Sequence, residues 1–296
     1  MMKEENFFPK QEAQRDEEVK KAYEAYIGVC DVYTPEEAGA MAEQLRWGRK
    51  DRNRKVMIGV MTHPLALNPD REDPANVREV FPQREELAKG FTDDPDVLNT
   101  IHYADLYGPK KGQNLFENLE KCVEYGGKNL HAIQLDVTWP NSDELKKFKS
   151  KYPKISIILQ VGKFAIKEVD SDPQKLVEHL HEYGDSIDHV LLDMSMGKGK
   201  DLDPEGLLAQ LRAIRKRLPN IGLAVAGGLG PESLGLLEPI AKEFPDVSID
   251  AQGNVKREGA PKDALGHLLS TEPADPIRST RYIERASYIL DTPQKE

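Results

Sequence analysis

The hydrophobic positions of this chain fall into eight short runs that are rich in β-branched residues. Each run is followed by a polar or glycine-containing loop and then by a longer stretch with helical spacing. A continuous apolar run of this length is typical of a strand that is covered on both faces, as in a parallel sheet flanked by helices. The pattern therefore predicts parallel strands joined by crossover helices.

Eight strands alternating with helices predict a (β/α)8 TIM barrel, an α/β fold, with a doubly wound sheet as the alternative. We expect one barrel domain over residues 1–296, in which 1–22 form an N-terminal extension and 272–296 a C-terminal extension. The predicted strands are Ala25–Cys30, Val56–Met61, Asn99–Ala104, His131–Asp136, Ile155–Gly162, His189–Met194, Ile221–Gly228 and Val247–Gly253. The predicted helices are Pro35–Trp47, Arg84–Gly90, Asn114–Tyr125, Ser142–Lys151, Pro173–Tyr183, Pro204–Arg217 and Pro231–Phe244, and a closing helix follows Glu272.

Composition and charge narrow the classes of protein to consider. Hydrophobic residues make up 39% of the chain and charged residues 31%, and no run approaches the roughly 18 apolar residues of a membrane span. The first residues are charged and acidic, unlike an export signal, so we expect a cytoplasmic protein with no membrane partner. A net charge of −10 argues against nucleic acid as the main partner. Two cysteines are too few for a disulfide framework.

Polar residues stand near the ends of several of these apolar runs. In a (β/α)8 barrel the carboxyl ends of the strands form the mouth, where active sites lie. The candidate residues at the mouth are Cys30, His63, His102, Gln134, Asp136, Gln160, Asp193 and Asp250. His63, His102 and Asp136 could meet there as metal ligands, but histidines and carboxylates are common at strand ends without a metal, and we predict neither a metal nor a cofactor.

Glycine-bearing loops follow the last two predicted strands. Gly227, Gly228 and Gly230 precede a helix start at Pro231, and bare backbone amides at a helix start can bind an anion. Gly253 and Asn254 would supply facing amides from the next loop. Because phosphate sites of such barrels commonly lie at these last loops, we predict a barrel of the phosphate-binding type, although the glycines could simply form tight turns.

Five stretches of the sequence together resemble phosphoribosylanthranilate isomerase, a (β/α)8 enzyme of tryptophan synthesis. In chain order they are VCDVYTPEEA (29–38), AIQLD (132–136), LLDMSMGKGKDLD (191–203), LAVAGGLGPESL (223–234) and SIDAQGNVKREGAPKD (248–263). The resemblance implies an Amadori rearrangement, in which an aminoaldose opens and becomes an aminoketose, with Asp193 as the general acid and Cys30 as the general base. It also implies that Gly197, Gly199 and Asp250 join the glycine loops in binding the phosphorylated substrate.

The chemistry of the two implied catalytic residues allows these roles without proving them. Apolar neighbours can keep a carboxyl at a strand end protonated, and a thiol becomes a base if its pKa falls. Cys30 could equally be a small buried core residue.

The sequence also departs from that family at the end of the substrate that carries the anthranilate. The family's lysine, glycine and histidine are replaced by Gly28, Asp31 and Asp136, and no Ser-Pro-Arg loop follows the second strand. A charge-assisted contact to the substrate's carboxylate would be lost, so we expect inefficient rearrangement of phosphoribosylanthranilate itself.

We therefore expect an isomerase-like enzyme that acts on a different small phosphorylated sugar, and that could form a homodimer. The alternatives are a phosphate-binding barrel that has lost its chemistry, and a different phosphosugar lyase or epimerase.

Overall fold

The computed structural model describes residues 23–48, 54–68, 80–105, 112–193, 203–262 and 268–291. Its eight strands are all parallel and follow one another in chain order around a closed barrel. They are β1 (Ala25–Cys30), β2 (Arg54–Thr62), β3 (Val97–Ala104), β4 (Ala132–Asp136), β5 (Ser156–Gly162), β6 (His189–Asp193), β7 (Gly222–Ala226) and β8 (Ser248–Ala251). The predicted (β/α)8 barrel is confirmed, and the doubly wound alternative is wrong because β8 pairs with β1.

Helices cover the outside of the barrel. They are α1 (Pro35–Gly48), α2 (Pro64–Leu67), α3 (Leu115–Gly126), α4 (Ser142–Lys151), α5 (Lys163–Glu168), α6 (Pro173–His181), α7 (Pro204–Arg217), α8 (Glu238–Glu243) and α9 (Pro276–Asp291). The closing helix α9 packs against α1 and β1, and buries Tyr282, Ile283 and Ala286 in the main core. Within the described ranges, no helix has the length and apolar character that crossing a membrane requires.

Two predicted helices differ from the structure, and two short helices were not predicted. The stretch Arg84–Gly90 contains only a short 3₁₀ helix at Arg84–Glu86. The predicted helix Pro231–Phe244 is divided into a 3₁₀ turn at Leu234–Leu237 and α8, because Pro239 cannot donate a backbone hydrogen bond and is placed in the first turn of α8. Helices α2 and α5 were not predicted, since four and six residues are too few to show a helical period.

A fully buried ion pair joins the loops that follow β1 and β8, the two strands that close the barrel. Lys256 Nζ lies 2.7 Å from Asp31 Oδ2, and it also donates to the backbone carbonyls of Leu269 and Glu272. Asp31 has a φ of +64°, a left-handed conformation that costs energy for a residue with a side chain. This is the position at which the resembled family has glycine, so the ion pair stabilises a turn that glycine would form without strain.

Removing the cation of this pair should destabilise the barrel strongly. Lys256→Met would leave the Asp31 carboxylate buried and uncompensated, and we expect the free energy of unfolding to fall by about 3–5 kcal/mol. Denaturant unfolding measures the change. The neighbouring Arg257, an exposed side chain that pairs with Glu272, is the matched control, and Arg257→Ala should cost about 0–1 kcal/mol. Equal losses in the two variants would contradict a structural role for the buried pair.

Candidate active site

The interior of the barrel has an apolar floor and a polar upper layer. The inward apolar side chains form one cluster, which comprises Tyr26, Met57, Leu98, Ala132, Ile158, Leu191 and Ala224 in the floor and reaches Ala226 at the end of β7. Side chains alternate along a strand, so the next inward positions lie nearer the carboxyl ends. The polar residues found there are Cys30, His102, Gln134, Asp136, Gln160, Asp193 and Asp250. The strand pattern thus places these groups at the mouth of the barrel.

Cys30, His102 and Asp250 converge at one side of this layer. The Cys30 thiol lies 3.4 Å from Asp250 Oδ1 and 3.4 Å from His102 Nδ1. On the other side of the imidazole, Nε2 lies 3.5 Å from Met57 Sδ. Three strands, β1, β3 and β8, therefore bring a thiol, an imidazole and a carboxylate together in the barrel.

Two glycines provide the space that this cluster occupies. A Cβ at Gly59 would lie 2.4 Å from His102 Nε2, and a Cβ at Gly28 would lie 2.6 Å from Asp250 Oδ1. Real Cβ atoms do not approach other heavy atoms so closely, so a side chain at either position would displace the cluster. The lack of a side chain at Gly28 on β1 and at Gly59 on β2 allows the carboxylate and the imidazole to point inward.

Side-chain amides connect this cluster to the opposite wall of the barrel. Gln134 Nε2 lies 3.2 Å from Asp250 Oδ2 and 3.0 Å from Gln160 Oε1. Gln160 in turn donates to Asp193 Oδ2 over 3.3 Å. A hydrogen-bonded path therefore leads from the Cys30 thiol through Asp250 and the two amides to Asp193.

Asp136 has a carboxyl group that holds its proton more firmly than an exposed aspartate does. Burial, and secondarily the negative charge of Asp193, raise the pKa of Asp136 to about 7. This carboxyl is therefore suited to hold a proton near neutral pH. A carboxyl that holds a proton at this pH can act as a general acid.

Cys30 lies in surroundings that disfavour its thiolate. Burial, followed by the charges of Asp250 and Asp31, raises the pKa of the Cys30 thiol well above its usual value. Burial also lowers the pKa of His102, so the thiol–imidazole pair is neutral at rest. To act as a base, Cys30 must first pass its own proton to a neighbour.

The two predicted glycine loops lie side by side. Gly227 and Gly228 have φ values of +120° and +62°, which a residue with a side chain rarely adopts. Asn254 Nδ2 donates to the Gly228 carbonyl over 2.7 Å and so ties the loop after β8 to the loop after β7. Within the described hydrogen bonds, the amides of Gly228 and Gly230 donate to no protein acceptor.

Asp193 lies at the same level as the start of these loops. It ends β6 and is in register with Ala226 on β7, which is in register with Asp250 on β8. The glycine loop begins at the residue after Ala226. The helix that begins at Pro204 is capped by Asp203 and not by Asp193.

Other predicted site residues lie elsewhere. His63 caps α2 by accepting from the Leu65 amide and stacks on Phe81, so it does not meet His102 and Asp136 as a metal site. Gly197 and Gly199 are outside the described residues. Gln252, whose position at the end of the last apolar run also indicated the mouth, donates to Asp31 Oδ2 over 2.9 Å.

Comparisons with known proteins show the fold alone. No family model matches the chain, and no curated protein matches it. Active domain 2 of a thermostable chitinase from Pyrococcus furiosus is similar, with a TM-score of 0.53 and 11% identity over 89% of this chain and 94% of that one.

Two other solved structures are similar at slightly lower scores. N-(5'-phosphoribosyl)anthranilate isomerase from Pyrococcus furiosus has a TM-score of 0.49 and 16% identity over 88% of this chain and 98% of that one. A Rubisco-like protein from Rhodopseudomonas palustris has a TM-score of 0.49 and 12% identity over 92% of this chain and 65% of that one. Such diverse activities on one barrel do not select a function for this chain.

Replacing Asp193 by Asn should lower the pKa of Asp136. The substitution removes the negative neighbour but leaves the burial, which is the larger cause of the shift. We therefore expect the pKa to fall below about 7 but to stay above that of an exposed aspartate. Carbon-13 NMR of labelled aspartate carboxyls measures it, with the exposed Asp143→Asn as control. An unchanged midpoint would show that the two carboxyls are not coupled.

Proposed function

We propose that this barrel is an acid–base isomerase of a small phosphorylated sugar, with the Amadori-type conversion of an aldose derivative to a ketose derivative as its reaction. The observation that carries the proposal is the arrangement at the mouth of the barrel, where Asp193 lies level with the start of a glycine loop and where burial and the charge of Asp193 raise the pKa of Asp136 to about 7. The resemblance of five sequence stretches to phosphoribosylanthranilate isomerase supports the same reaction class.

Asp193 would supply the proton that opens the sugar ring. As the proton reaches the ring oxygen, the bond from this oxygen to C1 breaks and the nitrogen on C1 forms an iminium ion. Asp136, which is coupled to Asp193, can share the proton before transfer and return one afterwards. A pair of this kind is suited to a reaction that uses and regenerates one acid.

Cys30 would take the proton from C2. Its own proton first passes to His102 Nδ1, 3.4 Å away, which forms a thiolate and an imidazolium. Loss of the C2 proton to the thiolate gives an enaminol, whose tautomerisation places a carbonyl at C2 and a hydrogen at C1. The protons balance over the cycle, and no oxidant or reductant is needed.

The glycine loops would hold the phosphate. The free amides of Gly228 and Gly230 supply hydrogen-bond donors close to the level of Asp193, and Asn254 fixes the second loop against the first. A phosphate bound there would position the sugar over the carboxyl pair.

One observation favours the alternative of a non-catalytic phosphate-binding barrel. The pKa of the Cys30 thiol is raised, whereas a catalytic thiol base usually has a lowered one. Activity measurements on a site variant distinguish the two functions.

Asp193→Asn should abolish turnover of phosphorylated aldosylamines while the protein still binds inorganic phosphate. The amide keeps the shape of the carboxyl but cannot donate its acidic proton, and general acid catalysis typically contributes about 10²–10⁴-fold. Product formation and phosphate affinity are measured on the same preparation. Asp203→Asn is the matched control, because asparagine caps a helix as well as aspartate does. Wild-type protein that binds phosphate and turns over none of a panel of these substrates would favour the binding barrel.

Gly230→Ala should weaken binding of inorganic phosphate. Its Cβ would lie 2.6 Å from Asn254 Cβ, so the loop after β8 must move away from the loop after β7. Phosphorus-31 NMR titration measures the affinity. Gly235→Ala is the control in the next turn, where a Cβ would meet nothing within 4 Å. Equal affinity in both variants would contradict an anion site between the loops.

A further inference from the structure

We propose that Cys30, His102 and Asp250 form a binding site inside the barrel for Zn²⁺ or a related first-row transition metal. The site has three protein ligands and an open fourth position. The proposal goes beyond the proposed isomerase and is independent of it, because metal binding is measured without any substrate.

The distances between the three donor atoms fit a tetrahedral metal. Cys30 Sγ lies 3.4 Å from both Asp250 Oδ1 and His102 Nδ1, and the three ligand atoms all lie within 4.8 Å of one another. A tetrahedral Zn²⁺, with bonds of about 2.3 Å to sulfur and about 2.0–2.2 Å to nitrogen and oxygen, places its ligand atoms roughly 3.3–3.6 Å apart. The two distances from the Cys30 sulfur fit one tetrahedral metal, and the third, between His102 and Asp250, is within the 4.8 Å that bounds the group.

The kinds of donor atom select the metal. One thiolate, one imidazole and one carboxylate suit Zn²⁺ or Co²⁺, whereas Mg²⁺ and Ca²⁺ prefer oxygen ligands throughout. Among the described His, Cys, Asp and Glu residues, this trio is the group of three with ligand atoms close enough to hold one ion.

Gln134 supplies an independent indication of a ligand. Its Nε2 donates to Asp250 Oδ2 over 3.2 Å, as outer residues do when they orient a ligating carboxylate. Its Oε1 is buried and has no hydrogen-bond partner among the described residues, although a buried acceptor of this kind is costly to leave unsatisfied. A bound ligand such as a metal-bound water is one kind of group that could supply the missing donor.

The trio lies at the mouth end of the barrel interior. Gly28 and Gly59 allow Asp250 and His102 to reach their positions beside Cys30. Cys30, His102 and Asp250 retain 2%, 5% and 6% exposure, so the cluster is nearly but not completely closed at the mouth.

A bound metal would change the chemistry of the barrel. On binding, the Cys30 thiol releases its proton and the sulfur bonds to the metal. A ligated sulfur cannot take a proton from C2, so metal binding and the proposed base role of Cys30 exclude one another. We infer that Zn²⁺ would inhibit an isomerase of this design.

Cobalt titration of the full-length, tag-free protein, freed of metal with a chelator, tests the site. We expect one Co²⁺ per chain, intense visible bands of a tetrahedral ion and a near-ultraviolet band of sulfur-to-cobalt charge transfer, all lost when Zn²⁺ is added. Binding without tetrahedral bands, or without the sulfur band, would overturn the proposal.

Variants identify the ligands. Cys30→Ser should abolish the sulfur band, and Gln134→Leu should weaken Zn²⁺ binding by about 10–100-fold without removing it. Cys122→Ser is the matched control, because Cys122 is also buried but is not part of the trio. If Cys30→Ser does not fold, Asp250→Asn, which keeps the side chain's shape, should still lower the affinity for Zn²⁺. A sulfur band that survives in Cys30→Ser, or affinity unchanged in Asp250→Asn, would overturn the assignment.

Discussion

Closure of the eight-stranded barrel is the constraint on which the rest of this structure depends. Because β8 pairs with β1, every inward side chain must share one small interior, and a large group on one strand requires a small one on another. The His102 side chain packs against Gly59, and the Asp250 side chain packs against Gly28, so both strands satisfy this requirement. The site is therefore shaped as much by the positions that lack a side chain as by those that carry one.

Burial then decides what the polar groups can do. A polar side chain inside a barrel must find a partner there, since an unpaired buried donor or acceptor costs about 1–3 kcal/mol. The carboxylates of Asp250 and Asp193 find such partners, because the side-chain NH2 groups of Gln134 and Gln160 donate to them and Gln134 also donates to Gln160. The same burial raises the pKa of Asp136 and of Cys30, so it prepares a carboxyl for acid chemistry and holds a thiol in its neutral form.

The sequence was most informative where a pattern extends over several residues. The apolar runs predicted every strand with small errors at its ends, and the change from an apolar run to a polar residue located Cys30 and Asp193 at the mouth. The contact of Cys30 with His102 could not be predicted, because it depends on barrel closure and on Gly59, which looks like an ordinary strand residue. Lys256 was likewise missed, since nothing in a loop sequence shows that one lysine will be buried against Asp31.

The charges at the mouth link the proposed phosphate site to the carboxyl pair. The chain has a net charge of −10, and Asp193 and Asp250 lie in register across β6, β7 and β8, one residue below the first glycine loop. A phosphate at that loop would be repelled by these carboxylates, and the buried Lys256 is already paired with Asp31. A proton shared by Asp136 and Asp193 removes one of the negative charges, and a bound phosphate would in turn raise the pKa of that pair further. Binding of an anion and retention of the acid's proton would therefore support each other, so a strand buried along its length can end in an aspartate beside the proposed phosphate site.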